Sequence, residues 1–304
     1  MRPSGLVCDE RFLDHLLDPG HPESPARLQA ILRKLDATGL RASLTAIQPA
    51  ENPFPALAAV HSQRHIDGVA SIPVTGSIAA LAAAGAIAAV DAVCRGTTAN
   101  AFCATRPPGH HAHDGGGEEG FCFYNNVAVA ARHAQRAHGC GKILIIDWDY
   151  HHGNATEETF YQDPSVLFFS THRWQAYPGT GDPRRSGAGA GAGFTVNVDL
   201  GAGAGDKEIL TAWDRHLIPA AEAFRPDLVL ISAGFDSRKD DYLGDFRVSD
   251  DAFRRMTRMA VQLAAIAGGG KVVSLLEGGY NPDGLAEAVA AHLEELSAAS
   301  AAMP

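Results

Sequence analysis

The sequence is poor in several things at once. Its 304 residues include only five cysteines, Cys8, Cys94, Cys103, Cys122 and Cys140, an odd number with no Cys-x-x-Cys pair. That argues against a disulfide framework or a cysteine-rich zinc site. Cys103 and Cys122 lie in apolar stretches and read as packing residues. Basic charge is scarce as well: 25 Lys and Arg stand against 35 Asp and Glu, for a formal net charge of −10. A broad basic face for nucleic acid is therefore not expected. The stretch before Asp9, Glu10 and Arg11 has no apolar core of signal-peptide length. The longest weakly polar run, residues 77–93, is mostly Ala and Gly and is broken by Asp91. It suits a buried helix better than a membrane span, which needs about 20 strongly apolar residues. The expectation is a soluble, cytoplasmic protein without a membrane partner.

What is present fits one α/β domain over residues 1–304, with 46% apolar and 20% charged residues. A first helix opens at His21-Pro-Glu-Ser-Pro-Ala-Arg27, where Ser24 can cap and Pro25 suits the first helical position. Leu28, Ile31, Leu32 and Leu35 then share one face. Short apolar runs follow at 101–105, 142–146, 166–170, 194–198, 227–232 and 271–276. They alternate with helical patterns around 77–95, 125–138, 206–224, 250–267 and 281–296. Unbroken runs such as Ile143-Leu-Ile-Ile146 read as strands buried on both faces, the mark of a mostly parallel sheet between two layers of helices. The Gly/Ala tracts at 187–193 and 201–205 lack the Lys-Ser/Thr or spacing of a phosphate loop and read as surface loops.

Unusual polar residues follow four of the runs at once. They are Arg106-Pro-Pro-Gly-His110-His111, Asp147-Trp-Asp149-Tyr-His151-His152-Gly-Asn154, Ala233-Gly-Phe-Asp236 and Glu277-Gly-Gly-Tyr280. Parallel strands would put all four tips on one edge of the sheet, where α/β proteins bind ligands. Residues two apart in extended chain point the same way, so Asp149 and His151 can grip one ion, with Asp236 as a third ligand. Two carboxylates and one imidazole leave a coordination position open and suit Zn²⁺, without excluding Fe²⁺ or Co²⁺. His110 and His111 suit proton transfer, with Asp147 and Asn154 available to orient them. The Tyr280 hydroxyl can either pack or donate to a developing oxyanion.

These segments resemble the histone deacetylase family, including its bacterial members and the acetylpolyamine amidohydrolases. The matching blocks are HPESPARL (21–28), RPPGHHA (106–112), GFCFYNN (120–126), IDWDYHHGN (146–154), STHRW (170–174), YPGTG (177–181), ISAGFD (231–236) and LEGGY (276–280), in family order. The resemblance implies the arginase/deacetylase fold, a three-layer α/β/α architecture. It implies zinc on Asp149, His151 and Asp236, and His111 as the proton-transfer base. It pairs His110 with Asp147 and His111 with Asn154, an Asn that looks like the class II branch. Tyr280 would bind the acyl carbonyl opposite the metal. A potassium ion would sit on Asp147, Asp149, His151, Ser170 and Thr171, partly through backbone carbonyls. Phe121 and Tyr177 would wall a substrate tunnel, with Gly120, Gly279 and Leu243 also at the substrate, and Arg27 would lie in an internal exit region.

The implied reaction is zinc-dependent hydrolysis of N-acetyl amides, acetyl-lysine-type substrates first. Acetylpolyamines come second, because polyamine-selective relatives of the class II branch carry a Glu where this chain has Leu243. A non-catalytic acyl-amine binder and a binuclear manganese hydrolase are further alternatives. Every motif position of the catalytic set is kept, and the ligands suit one metal better than two. The segments 68–77 and 113–119 depart from the family pattern near the expected rim. Acetylated small molecules or peptides are the expected partners, and a homo-oligomer is compatible with the composition.

Overall fold

The computed structural model describes residues 2–267 and 269–302. Eight strands form one sheet: β1 (Gly5–Val7), β2 (Thr45–Ile47), β3 (Asn100–Cys103), β4 (Ile143–Asp147), β5 (Val166–His172), β6 (Thr195–Asp199), β7 (Leu228–Ala233) and β8 (Val272–Leu276). Their order is β2-β1-β3-β8-β7-β4-β5-β6, and every pairing is parallel. Every residue of β3, β4, β5, β7 and β8 is buried, as their unalternating sequences require.

Right-handed crossovers decide which helix covers which face. Connections stepping from β2 through β3 to β6 carry Thr75–Cys94, Asn126–His138 and Asn154–Phe160 on one face. Connections stepping the other way carry Pro25–Ala37 and Asp250–Ala265 on the opposite face, where Pro282–Ala302 joins them. The consequence for function is local. β4 and its neighbour β7 send their chains to opposite faces, as do β3 and its neighbour β8. A crevice therefore opens at the carboxyl ends of these four adjacent strands.

Local signals place the helix ends. Asn125 accepts from the Ala128 N–H at 3.0 Å and Ser249 from the Ala252 N–H at 3.2 Å, both as N-caps. Gly139 closes Asn126–His138 in the left-handed conformation, at φ 66°. Ser24 does occupy the N-cap position before Pro25, but its side chain makes no capping bond, contrary to expectation. The single helix expected over 206–224 is instead two α segments, Asp206–Ala212 and Ile218–Phe224, joined by a π turn at Trp213–Leu217. Pro219 has no N–H to complete the α ladder, and the wide turn sits just before it. Strands β1 and β2 and the helix Gln63–Ala70 have no counterpart among the expected elements; three-residue strands carry too little pattern to register.

Thr75–Cys94 is long and apolar enough by composition to cross a membrane, yet 67% of its most apolar window is buried inside the protein. Its small residues let it pack closely against the sheet and against Asn126–His138.

Candidate active site

The four expected tips meet in the crevice. Asp149, His151 and Asp236 bring one ligand atom each to within 4.8 Å of the others. Nδ1 of His151 lies 3.1 Å from Oδ1 of Asp149 and 2.9 Å from Oδ2 of Asp236. The outer carboxylate oxygens are held from behind: Gly278 N–H donates to Oδ2 of Asp149 at 2.8 Å and Tyr150 N–H to Oδ1 of Asp236 at 2.8 Å. A Cβ at Gly278 would collide with both carboxylates, so only glycine lets the β8 backbone come this close.

Both aspartates are fully buried. Burial and the neighbouring Asp149 charge push the Asp236 carboxyl up to about 7. Burial opposes a charge on His151, but hydrogen bonds to Asp149 and Asp236 outweigh it and push the imidazole up to about 10. Without an ion, the crowded carboxylates are relieved only by protons on His151 and Asp236; with those protons displaced, the three side chains present lone-pair donors to one point. A divalent cation answers both, so these residues fit a catalytic zinc ion.

The tandem histidines end the β3 loop. His110 Nδ1 lies 3.0 Å from Oδ2 of Asp147, the last residue of β4. His111 Nδ1 lies 2.7 Å from Oδ1 of Asn154. Burial disfavours charge on His110, but the Asp147 and Asp149 carboxylates prevail and hold its pKa well above the ordinary imidazole value. His111 is driven the opposite way, well below that value, by burial and then by the charge on His110. Two adjacent imidazoles are thereby split into a cation and a neutral base, the separation that acid–base chemistry uses.

A cavity of about 440 Å³ opens onto this cluster. Its wall includes His111, Gly120, Phe121, His151, Tyr177, Leu243 and Tyr280. The Tyr177 ring stands edge-on to His111 at 5.1 Å and the Phe121 ring edge-on to Tyr280 at 5.9 Å. Gly120 adopts φ 53°, and a Cβ there would strike the His111 ring. Burial, with Asp236 nearby, holds the Tyr280 phenol well above its ordinary pKa, so it remains a proton donor. Gly279, expected on the cavity wall, is not among the residues that line it; its carbonyl accepts from Nε of the fully buried Arg27 at 2.6 Å. Arg27 also sits 5.1 Å from the centre of the Tyr280 ring. Ser170 lies on β5 in register with Asp147, and the neighbouring Thr171 hydroxyl is buried without a partner among the described residues.

The chain belongs to the histone deacetylase family. Residues 21–296 match the histone deacetylase domain. The chain is 36% identical over 319 residues to histone deacetylase 10, chloroplastic, of Oryza sativa subsp. japonica, covering 94% of this chain and 71% of that protein. It is 37% identical over 297 residues to a probable deacetylase of Archaeoglobus fulgidus, covering 92% of this chain and 82% of that protein. It spans 49% of histone deacetylase 5 of Arabidopsis thaliana and 35% of human histone deacetylase 7, each at 36% identity. Among solved structures, the HDA15 HD domain superposes with a TM-score of 0.92 at 36% identity, covering 99% of this chain and 91% of that one. The fold is the arginase/deacetylase fold, and membership in this family makes the chain a deacetylase-type enzyme.

Several residues that complete this deacetylase centre carry no recognisable role in the sequence. Glu277 accepts from the Gly109 N–H at 2.6 Å and the His110 N–H at 3.2 Å, and its other oxygen accepts from Ser232 at 3.1 Å. It pins the histidine loop from the adjacent strand, and burial pushes its carboxyl up to about 7. Asp241 accepts from the Tyr280 N–H at 2.7 Å and so fixes the turn that aims the phenol. Glu119 accepts from the amide nitrogen of Asn154 at 3.1 Å. A carboxylate can only accept here, so Asn154 must turn its NH₂ to Glu119 and its oxygen to His111. His111 then carries its proton on Nδ1 and leaves Nε2 free as the base. Only the acidity of segment 113–119 hinted at this.

Proposed function

We propose that the protein hydrolyses N-acetyl amides with one Zn²⁺ held by Asp149, His151 and Asp236. The observation that carries the proposal is the shared cavity: His151 of the three-ligand cluster, the neutral imidazole of His111 and the Tyr280 phenol all line one space, with Asp149 and Asp236 directly behind His151. When bound, the ion supplies Lewis acidity and makes water more acidic. His111, whose Nδ1–H donates a hydrogen bond to Asn154, accepts the water proton on Nε2 and returns it to the leaving amine. His110 stays cationic against Asp147 and stabilises negative charge that develops nearby. Tyr280, on the wall of the same cavity, donates to the acyl oxygen. Acetate and a free amine leave.

Acetyl-lysine-type substrates fit best. Phe121, Tyr177 and Leu243 give the cavity apolar walls suited to a long aliphatic stem, and Leu243 puts no charge where a polyamine would need one. Glu118, on the same wall, keeps acetylpolyamines as the second reading. A potassium ion is proposed beside the centre on Asp147, Ser170, Thr171 and the backbone of Asp149 and His151. The carbonyls of Asp149 and His151 accept no hydrogen bond among the described residues, as carbonyls kept for a cation would.

The test is turnover of an acetyl-lysine peptide against acetylputrescine, before and after chelation. Activity should vanish with the metal and return with Zn²⁺, and the peptide should be preferred. Full activity after verified metal removal would overturn the zinc assignment, and a strong polyamine preference would overturn the substrate ranking.

A further inference from the structure

Far from the crevice, where Thr75–Cys94 and Asn126–His138 run out, three metal-binding side chains meet. We propose that Asp91, His133 and His138 form a second transition-metal site, suited to Zn²⁺, that ties the ends of these two helices together. The helices lead into the amino ends of β3 and β4, so the site lies at the opposite sheet edge from the catalytic cluster.

The geometry singles this group out. Nε2 of His133 and Nε2 of His138 lie 2.7 and 2.6 Å from the same oxygen, Oδ1 of Asp91. Neither histidine's Nδ1 has a hydrogen-bond partner among the described residues. Without an ion each Nε2–H donates to Oδ1; with an ion in place each ring is free to move its proton to Nδ1 and turn a lone pair at Nε2 toward the common point. The side chains are 19%, 13% and 22% exposed for His133, His138 and Asp91, enclosed yet reachable by an ion from solvent.

The other histidine groups lack this freedom. In the cluster of His61, His65 and Asp114, Nε2 of His61 accepts from the Asn125 N–H, Nδ1 of His65 accepts from the Gly116 N–H, and Nε2 of His65 is bonded to the Phe123 carbonyl. The cluster of His110, Cys122 and Glu277 belongs to the catalytic centre, and the Glu277 oxygens are already engaged.

Zinc bonds of about 2.0–2.1 Å set tetrahedral neighbours about 3.3 Å apart, so the two Nε2–Oδ1 contacts must open by about 0.6 Å on loading. Side chains at a partly exposed helix end can make that adjustment. Arg95 engages the other Asp91 oxygen at 3.1 Å and leaves Oδ1 for the ion. Water supplies the remaining coordination, and the thiols of Cys94, three residues after Asp91, and Cys140, two after His138, lie 3.9 Å apart. Because the imidazoles must be neutral to bind, affinity falls as pH drops.

The experiment counts metal on the full chain. Protein saturated with Zn²⁺ is desalted and its bound zinc measured, and its thermal unfolding is followed with added Zn²⁺. Wild type should hold one Zn²⁺ more than His138→Asn and than Asp91→Asn, while deacetylase turnover stays the same and certifies that both variants fold. Added Zn²⁺ should raise the unfolding temperature of wild type more than that of either variant. An Asp236→Asn arm reports on the catalytic centre separately, since it should lose the other ion alone. Equal zinc content in wild type and both helix variants would overturn the proposal.

Discussion

Replacing Asn154 by Asp is nearly isosteric, yet its effect should be large and should depend on Glu119. The new carboxylate would keep its 2.7 Å contact with Nδ1 of His111 but would put a second oxygen 3.1 Å from the Glu119 carboxylate, where an amide N–H now donates. Two unit charges at that separation repel by about 5 kcal/mol at an effective dielectric of ~20, and by about 1 kcal/mol in bulk water. The Glu119 side chain is 38% exposed, which moves the cost toward the lower figure. Glu119 cannot simply swing away, because His113 holds its other oxygen at 2.8 Å. A net cost of about 1–3 kcal/mol corresponds to a loss of roughly 5- to 150-fold in kcat/KM if it falls on positioning His111. Glu119→Gln should recover most of it in the Asn154→Asp background, since a Gln amide can donate to the new carboxylate. In the wild-type background the same change should cost little. The assay is the four-protein cycle of kcat/KM on an acetyl-lysine peptide, with unfolding temperatures alongside. Coupling within about 0.5 kcal/mol of zero would mean that the two residues act independently and that Glu119 does not orient Asn154.

Tyr280→Phe removes one donor to the acyl oxygen and should lower kcat about 100- to 1000-fold with little change in KM or unfolding temperature; a loss confined to KM would assign the phenol to ground-state binding. The acid limb of the kcat profile should have its midpoint below the ordinary imidazole pKa, because burial and the charge on His110 depress His111; activity is full above that midpoint and lost as pH falls through it, and a midpoint above 7 would refute the assignment of His111 as the base. Glu23→Gln strips the carboxylate from the fully buried Arg27 and Arg106, with which it pairs at 3.0 and 2.6 Å, and should cost about 3–5 kcal/mol in denaturant unfolding. In wild type, burial opposes the Glu23 charge, but His15, Arg106 and Arg27 prevail and hold its pKa well below the carboxylate range. Its contribution is therefore present above pH ~4.3 and lost as pH falls toward the depressed value, and acid sensitivity should be smaller in the variant.

Much of the site was legible because its residues are paired locally in the chain. Asp149 and His151 are two apart, His110 and His111 adjacent, and all follow apolar runs that could only be buried strands. The same runs made the parallel sheet legible, whereas β1 and β2 were too short to show. The roles of Glu119, Asp241 and Glu277 were illegible for the opposite reason. Each acts by accepting hydrogen bonds from a segment far away in sequence, and an isolated acidic residue in a loop carries no sign of its partner.

The sequence by itself determined the fold class, the four strand tips and the chemistry each brings, because hydrophobic pattern and residue type are properties of short segments. The tertiary structure decided the strand order that makes β3, β8, β7 and β4 neighbours, and so which tips share a crevice. It also decided the opposed protonation of His110 and His111 and the turn of Gly279 toward Arg27. Those outcomes depend on burial and on charges delivered from distant segments, and only the packed chain brings the two together.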